Sequence, residues 1–248
     1  MKCILLAAGY ATRLYPLTQN LPKSLLPIGE STILDLIIRQ IEQVESIDHI
    51  FIVTNDRFFH LFEDWRSRQQ IRQKITVLND GTTTNDNRIG AIADLRFAIE
   101  TGSVAEDILV LAGDNLFDFS LTDFIRFFER VDRDCITAHT LSELAALQRT
   151  GVIEVDAHDR VTGFEEKPHC PRSNLAVPPF YIFQQETLPL IRQYLAAGNN
   201  PDAPGNFIPW LIERREVYAF RFQGQRYDIG TMASYQQAIQ IFAGKEEH

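Results

Sequence analysis

The sequence predicts an α/β fold, a Rossmann-like three-layer sandwich in which helices cover both faces of a mixed, mostly parallel sheet. Short apolar runs alternate with longer segments whose apolar residues recur at helical spacing, and this order is typical of a parallel sheet with helical crossovers. The 248 residues contain no Ser/Gly-rich linker. We therefore expect a single domain that spans residues 1–248.

In the first half, continuous apolar runs predict strands and amphipathic segments predict helices. The strands are Lys2–Ala7, Ile50–Thr54, Ile75–Leu78 and Ile108–Leu111, and the helices are Ile33–Val44, about Asp56 to Arg68, and Ile89–Glu100. Ligands bind at the carboxyl ends of the strands in such sheets. The loops after Leu6, Leu78 and Leu111 should therefore open on one crevice.

The second half is less regular. Runs at Val152–Val155 and Val161–Glu165 predict a hairpin. The apolar run Leu175–Phe183 predicts a further strand, which Pro178 and Pro179 interrupt. The remaining predictions are helices Glu186–Ala197, Phe207–Arg214 and about Met232 to Ala243, and a strand Val217–Phe222.

Composition narrows the classes of function. The formal net charge of -9 argues against a general nucleic-acid surface, although cations concentrated at one site could still bind anions. No apolar stretch reaches the roughly 18 residues of a membrane span, and the N-terminus lacks a signal-peptide pattern. We expect a cytoplasmic protein with no membrane or nucleic-acid partner.

Cysteine usage supports the same compartment. Cys3 and Cys135 lie in or beside apolar runs, which fits buried thiols in a reducing cytosol better than a disulfide framework. Cys170 follows His169, but no second Cys/His pair with zinc spacing lies nearby. A zinc site is therefore a weak alternative at Cys170.

The stretch LAAGYATRLYPLT, from Leu6 to Thr18, leaves the first strand through a loop of small residues. Small side chains let a ligand approach the backbone, and the N–H groups of such a turn can bind phosphate oxygens. Arg13 adds a guanidinium that can grip a phosphate in bidentate fashion. The loop matches neither the dinucleotide-binding nor the P-loop pattern, and a packing turn is the alternative.

Lys23 lies between Pro22 and Pro27 in the run LPKSLLPI. The two prolines fix the backbone on either side and limit where Lys23 can point. A solvated lysine would not need this restriction, so the segment favours a functional lysine.

Four blocks of sequence together resemble one family. LAAGYATRLYPLT followed by PKSLLP resembles the opening L-A-A-G-x-G-T-R-L-x-P-L-T and P-K-x-L-L-P of the sugar-1-phosphate nucleotidyltransferases, the NDP-sugar pyrophosphorylases that include glucose-1-phosphate thymidylyltransferases. The other blocks are LAGDNLFDF at Leu111–Phe119, GVIEVDAHDRVTGFEEKP at Gly151–Pro168 and YDIGTMASYQQA at Tyr227–Ala238. Ala11 replaces the second glycine of the opening, so a positive φ there would strain the loop.

The resemblance implies a transfer of a nucleotidyl group from an NTP to a sugar 1-phosphate, which gives an NDP-sugar and pyrophosphate. Asp114 and Asp228 would bind Mg²⁺, and Lys23 would lie near the α-phosphate. Arg13 would bind the triphosphate, beside a nucleotide-binding set of Leu6, Ala7, Ala8, Gly9, Ala11, Thr12, Asn85, Arg88 and Gly90. Without the resemblance, Asp114 and Asp228 would be interpreted as helix caps or turn aspartates.

The sugar phosphate is assigned by the same resemblance to residues about 140–222. Lys167 would bind its phosphate, Glu166 would accept its hydroxyls, and Gly151 would let the sugar approach the backbone. An exposed loop is the alternative for Glu166 and Lys167. A phosphate monoester is mostly dianionic at neutral pH, so the reaction needs charge neutralisation and positioning more than a general base.

The segment NDGTTTNDNRIG, residues 79–90, departs from the Gln/Pro-rich loop of many relatives. Asn85, Asn87 and Arg88 could read the base or bind phosphate, whereas the alternative is a solvated turn that caps the next helix. Paired donors and acceptors on asparagine favour a pyrimidine.

Three other functions are alternatives to nucleotidyl transfer to a sugar 1-phosphate. They are a cytidylyltransferase for phosphocholine or another non-sugar phosphate, a catalytically silent nucleotide-sugar sensor, and a glycosyltransferase. KPHCPRSN contains no aromatic cage for a quaternary ammonium, a sensor need not keep both carboxylates, and Asp114 is not part of a D-x-D motif. The resemblance also allows a homo-oligomer.

Overall fold

A central ten-stranded mixed sheet with helices on both faces organises the chain. The computed structural model describes residues 1–242. Its strands are β1 Lys2–Leu6, β2 Pro27–Ile28, β3 Ser31–Thr32, β4 His49–Thr54, β5 Lys74–Asn79, β6 Ile108–Ala112, β7 Asn115–Phe117, β8 Asp134–Thr140, β9 Gly151–Val155, β10 Val161–Glu166, β11 Leu175–Val177, β12 Phe180–Phe183, β13 Val217–Arg221 and β14 Arg226–Asp228. Its helices are α1 Ile33–Glu42, α2 Phe59–Arg66, α3 Ala91–Thr101, α4 Leu121–Val131, α5 Leu144–Leu147, α6 Leu188–Ala196, α7 Phe207–Ile212 and α8 Met232–Phe242.

The sheet has the order β10-β9-β11-β8-β12-β6-β1-β4-β5, with β13 paired to β8. Strands β5, β4, β1 and β6 are mutually parallel, and β8, β9 and β13 run in the same direction. Only β10, β11 and β12 run the opposite way in this sheet of the described chain. The predicted fold class, a mixed and mostly parallel sheet in a three-layer sandwich, is confirmed.

Alternating side chains of β1 show how the two outer layers are held. Cys3 and Leu5 belong to a buried cluster that includes residues of α1, α2, α4 and α8, whereas Ile4 belongs to a second cluster with residues of α3, α6 and α7. A strand covered on both faces has to be apolar throughout. This requirement explains the uninterrupted run that predicted the strand.

Most predicted elements are present with shifted ends. Helix α1 begins at Ile33 as predicted, because Thr32 and Asp35 form a capping box at its start. Helix α2 begins at Phe59 rather than near Asp56, since Asn55 and Phe58 form the preceding turn. Helix α8 is described as far as Phe242, and its predicted end at Ala243 lies outside the described residues.

The run Leu175–Phe183 forms two strands rather than one. Pro178 and Pro179 separate β11 from β12, and β12 inserts antiparallel between β6 and β8. The proline pair therefore ends one strand ladder and begins another, as the missing N–H groups require.

The sequence patterns did not predict α4, α5, β7, β8 or the short strands β2, β3 and β14. Helix α4 is strongly amphipathic, with Leu121, Phe124 and Phe128 buried and a Ser120 cap. This periodicity is a sequence signal that could have predicted helix α4. The pairing of β7 with β14 matters most for the site, because it places Asp228 opposite Asn115.

Cys3 and Cys135 are buried, as predicted, and Cys170 is exposed. None of the helices in residues 1–242 combines the length and the apolar character that a membrane crossing requires.

Candidate functional site

A cleft of about 520 Å³ opens at the carboxyl ends of the parallel strands. The loops after β1, β5 and β6 all line it, together with residues around β14. The prediction that these three loops share one crevice is therefore confirmed. Of the predicted site residues, those that line the cleft are Leu6, Ala7, Ala8, Gly9, Ala11, Thr12, Arg13, Lys23, Asn85, Arg88, Gly90, Asp114, Lys167 and Asp228.

The small-residue loop after β1 is held by hydrogen bonds to its backbone. The Ala7 N–H donates to the Val53 carbonyl at 2.8 Å, and the buried side chain of Asn55 donates to the Ala8 carbonyl at 2.9 Å. On the other side, the Thr18 hydroxyl donates to the Ala11 carbonyl at 2.8 Å. These hydrogen bonds fix the loop on both sides of Gly9, which is exposed and has open space where a side chain would begin.

Ala11 has a left-handed backbone, with φ of 46° and ψ of 41°. A residue with a Cβ strains this conformation by about 1–2 kcal/mol, so the strain anticipated at this position is present. The hydrogen bonds that its carbonyl accepts from Thr18 and Leu14 hold it there.

We expect Ala11→Gly to raise the free energy of unfolding by about 0.5–1 kcal/mol, because relief of strain exceeds the added entropy of the unfolded chain. Urea unfolding of the two proteins measures this difference. Ala11→Val is the matched control and should destabilise, since a β-branched residue tolerates positive φ worse. Equal stability of all three proteins would contradict the strain.

Lys23 lies on the floor of the cleft and is 8% exposed. Pro22 precedes a short 3-10 turn, Lys23–Leu25, that fixes the direction of the side chain. The Lys23 Nζ is 2.8 Å from Asp114 Oδ2 and 3.7 Å from Asp228 Oδ1. One ammonium group therefore joins the two carboxylates that the sequence singled out.

Asp114 and Asp228 come together because of strand pairing. Asp114 follows β6 after Gly113, and Asp228 ends β14 beside Asn115 on β7. A side chain at Gly113 would press on Ala7 and Ser24 at 3.1 Å, which explains the glycine before Asp114.

Two further groups contact these carboxylates. The Asn115 amide donates to Asp114 Oδ1 at 2.6 Å, and Arg226 lies 3.0 Å from Asp228 Oδ2. Burial raises the pKa of Asp114, but the Lys23 ammonium and the hydrogen bonds from Lys23 and Asn115 outweigh it and hold the pKa below its ordinary value. Asp114 is thus an anion in the free protein near neutral pH.

The donor set at this point fits a magnesium ion. Residues 1–242 contain no group of three or more His, Cys, Asp or Glu side chains that could hold a metal, so Asp114 and Asp228 form a pair rather than a full cage. Mg²⁺ is commonly held by one or two carboxylates and completes its coordination with water and phosphate oxygens.

Lys167 carries its side chain to the cleft from the end of β10. Its backbone has a φ of 49°, and its Nζ is 3.5 Å from Glu166 Oε1. Glu166 lies against Gly205, where a Cβ would meet its Oε2 at 2.7 Å.

Gly151 is not among the residues that line the cleft. A Cβ there would meet the Phe164 ring at 2.4 Å, so the structure gives this glycine a packing reason. Its predicted role in sugar approach stays a prediction.

The loop after β5 is braced by its own side chains. The Asn87 Oδ1 accepts hydrogen bonds from the N–H groups of Thr83 and Thr84 at 3.1 and 3.0 Å, which is the capping alternative. Asn85 and Arg88 line the cleft, and Arg88 is 3.7 Å from Asp202. Gly90 has φ of 93°, and a Cβ there would meet the Pro201 carbonyl oxygen at 2.7 Å.

Several cleft residues were not found from the sequence. They are Tyr10, Asp80, Asp94, Asp202 and Arg226, and Asn55 supports the loop from behind. Asp80 directly follows β5, and the rule that ligands bind at the carboxyl ends of parallel strands could have pointed to it. Tyr10 lies within the loop Leu6–Thr18 that the sequence singled out, whereas Asp94, Asp202 and Arg226 are placed by contacts between distant segments.

The fold and the cleft define an α/β protein with paired carboxylates and a lysine at the ends of its parallel strands. A family model named nucleotidyl transferase matches residues 2–244, and the chain belongs to this family. The resemblance drawn from the four sequence blocks is confirmed.

Curated relatives carry names from this family. The chain is 26% identical over 230 residues to the bifunctional protein GlmU of Methanococcus aeolicus, covering 93% of this chain and 51% of the relative. It is 25% identical to a UTP–glucose-1-phosphate uridylyltransferase of Synechocystis, with 99% and 64% covered, and 27% identical to a glucose-1-phosphate adenylyltransferase of Clostridium acetobutylicum, with 95% and 65% covered. The chain thus spans about half to two thirds of the length of these relatives.

Solved structures share the fold. A glucose-1-phosphate thymidylyltransferase described as putative, from Bacillus anthracis, has a TM-score of 0.81 at 21% identity and covers 98% of this chain and 95% of its own. A UDP-glucose pyrophosphorylase in complex with UDP-glucose has a TM-score of 0.83 at 19% identity, with 99% of both chains covered.

Proposed function

We propose that this chain transfers a nucleotidyl group from a nucleoside triphosphate to a sugar 1-phosphate, which yields an NDP-sugar and pyrophosphate. The observation that carries the proposal is the Lys23 ammonium between Asp114 and Asp228 on the floor of the cleft. The names of the curated relatives support the same reaction class.

The reaction is an in-line displacement at the α-phosphorus. A phosphate oxygen of the sugar 1-phosphate forms the new P–O bond, and the bond from the α-phosphorus to the bridging oxygen breaks, so that its electron pair leaves with pyrophosphate. The attacking phosphate is mostly dianionic at neutral pH, and the step therefore needs no general base. The barrier is chiefly repulsion between anions.

The chain's own residues divide the work of reducing this repulsion. Arg13 and the N–H groups of residues 8–12 bind the leaving pyrophosphate part, and Lys23 offsets charge at the α-phosphate. Asp114 and Asp228 would hold Mg²⁺, which supplies positive charge to the phosphate oxygens when bound.

Residues about 140–222 form the sugar-phosphate part of a single domain in this proposal. Lys167 binds the phosphate of the acceptor, and Glu166 accepts its hydroxyls. The position of Lys167 on the cleft supports its assignment. A cytoplasmic location and assembly into a homo-oligomer stay predictions.

Asn85 and Arg88 lead to a prediction about the nucleotide. We expect Asn85→Ala to lower the ratio of reaction rates between preferred and poor NTPs by about tenfold, because an amide pairs with a base edge through both a donor and an acceptor. Arg88→Ala should weaken the binding of all NTPs about equally, since a guanidinium beside the triphosphate does not contact the base. Competition kinetics with paired NTPs measures both effects, and Asp86→Asn, at an exposed residue that does not line the cleft, is the control. An unchanged ratio in Asn85→Ala would mean that the base is read elsewhere.

Pyrophosphate release from a matrix of four NTPs and several phosphate monoesters tests the proposed function. We expect release only with a sugar 1-phosphate. Release with phosphocholine and CTP would instead support the cytidylyltransferase alternative. Nucleotide-sugar binding without release would support the sensor, and transfer of sugar from an NDP-sugar without pyrophosphate would support the glycosyltransferase.

A further inference from the structure

Asp94 is a buried carboxyl that the proposed reaction does not use. It lies in the first turn of α3, lines the cleft and is 7% exposed. No hydrogen-bond donor in residues 1–242 contacts its Oδ1. A buried polar atom without a partner is costly, so this oxygen calls for a ligand.

The neighbour of Asp94 is the carboxyl of Asp80. Asp80 Oδ1 accepts hydrogen bonds from the N–H and the hydroxyl of Thr82, both at 2.7 Å. Burial, and then the negative charge of Asp80 and a hydrogen bond with it, raise the pKa of Asp94 to about 8. Asp94 is therefore largely protonated near neutral pH, and its hydrogen bond with Asp80 means that the two carboxyls share this proton.

This sharing decides what the pair offers a ligand. The proton lies between the two carboxyls and is not free to be donated outward. What remains is the unpartnered Oδ1 of Asp94, which offers the cleft a hydrogen-bond acceptor. A ligand with N–H groups can donate a hydrogen bond to this oxygen. A carbonyl oxygen of a ligand would instead be repelled, because both oxygens carry only lone pairs.

The position of the pair suits a nucleobase rather than a phosphate. Asp80 follows β5, and Asp114 follows β6, with β1 and β4 between these strands. The two strand ends are therefore about 14 Å apart. Two carboxyls would repel the triphosphate, and the ring of Tyr10, whose hydroxyl contacts Thr82, supplies an aromatic wall on the cleft beside them.

We propose that Asp94, held beside Asp80, accepts a hydrogen bond from the exocyclic amino group of the nucleobase, so that the chain prefers CTP, ATP or GTP to UTP and dTTP. The single exchangeable ring N–H of uracil and thymine is flanked by carbonyl oxygens on both sides, and these would face the carboxyl pair. The inference rests on the proposed function, because it concerns the NTP of that reaction.

The test compares Asp94→Asn with the matched control Asp86→Asn, which makes the same change at an exposed residue of the neighbouring loop. Competition kinetics of pyrophosphate release and calorimetric binding are measured with each NTP. We expect the wild-type protein to favour amino-bearing NTPs over UTP and dTTP by about tenfold or more. Asp94→Asn should abolish or invert this ratio, because its amide can donate to a carbonyl, and Asp86→Asn should keep it.

Each other outcome overturns the inference. A wild-type preference for UTP or dTTP contradicts it without any variant, so the test survives a failure of Asp94→Asn to fold. An unchanged NTP preference in Asp94→Asn, with turnover intact, contradicts this inference and leaves the proposed function standing. Absence of NTP binding and of pyrophosphate release in the wild-type protein overturns the proposed function as well.

Discussion

Asp114→Asn and Asp228→Asn should each lower turnover on the order of 100-fold or more while the fold is retained. Both carboxylates contact one ammonium group, and a shared ion would need both of them. Asparagine has the same shape but lacks the charge that Mg²⁺ requires. Because the two residues act as a unit, the double variant should lower turnover little more than either single variant does.

Steady-state kinetics of the four proteins measures this effect, with circular dichroism as the check on folding. Asp64→Asn is a suitable control, since Asp64 is exposed on α2 and does not line the cleft. The metal requirement predicts that EDTA removes activity and that Mg²⁺ restores it. Losses that multiply in the double variant would argue against a shared ion.

Lys23→Ala should lower kcat by about 100-fold or more, whereas Lys167→Ala should chiefly raise the KM for the sugar phosphate. Lys23 lies on the cleft floor against both carboxylates, so its charge acts where the α-phosphorus becomes five-coordinate. Lys167 has an exposed side chain at the cleft edge and contacts Glu166. Its loss should therefore weaken binding more than chemistry.

Initial rates with each substrate varied in turn separate the two effects. Lys74→Ala, at an exposed lysine on β5 outside the cleft, controls for loss of positive charge. Thermal unfolding shows whether Lys23→Ala disturbs the fold. Identical kinetic signatures for Lys23→Ala and Lys167→Ala would mean that the roles are assigned wrongly.

The sequence predicted best the parts of the fold that depend on local patterns. Strands β1, β4 and β6 are short apolar runs, because both of their faces are covered by helices. Strand β8 was missed because it contains buried Asp134 and Thr137. Their partners, Arg215, Thr187 and the Phe180 carbonyl, come from distant parts of the chain, and no local pattern reveals such pairing.

The same distinction applies to the candidate site. Lys23 could be found because its flanking prolines are visible along the chain, and Asp114 because the block Leu111–Phe119 resembles a family motif. Arg226 and Asp94 could not, since their place in the cleft depends on how β14 and α3 pack. The left-handed backbone of Ala11 was anticipated only as a condition, because it depends on the hydrogen bonds from Thr18 and Leu14.

The pairing of β7 with β14 also bears on the order of folding. It joins segments that lie far apart along the chain, and contacts of such separation form slowly because they require a large loop closure. During synthesis, the parallel core of β1, β4, β5 and β6 emerges before Arg226 to Asp228. Until those residues emerge from the ribosome, Lys23 has only Asp114 of the two carboxylates as a partner, and the nascent chain lacks half of its proposed metal-binding pair.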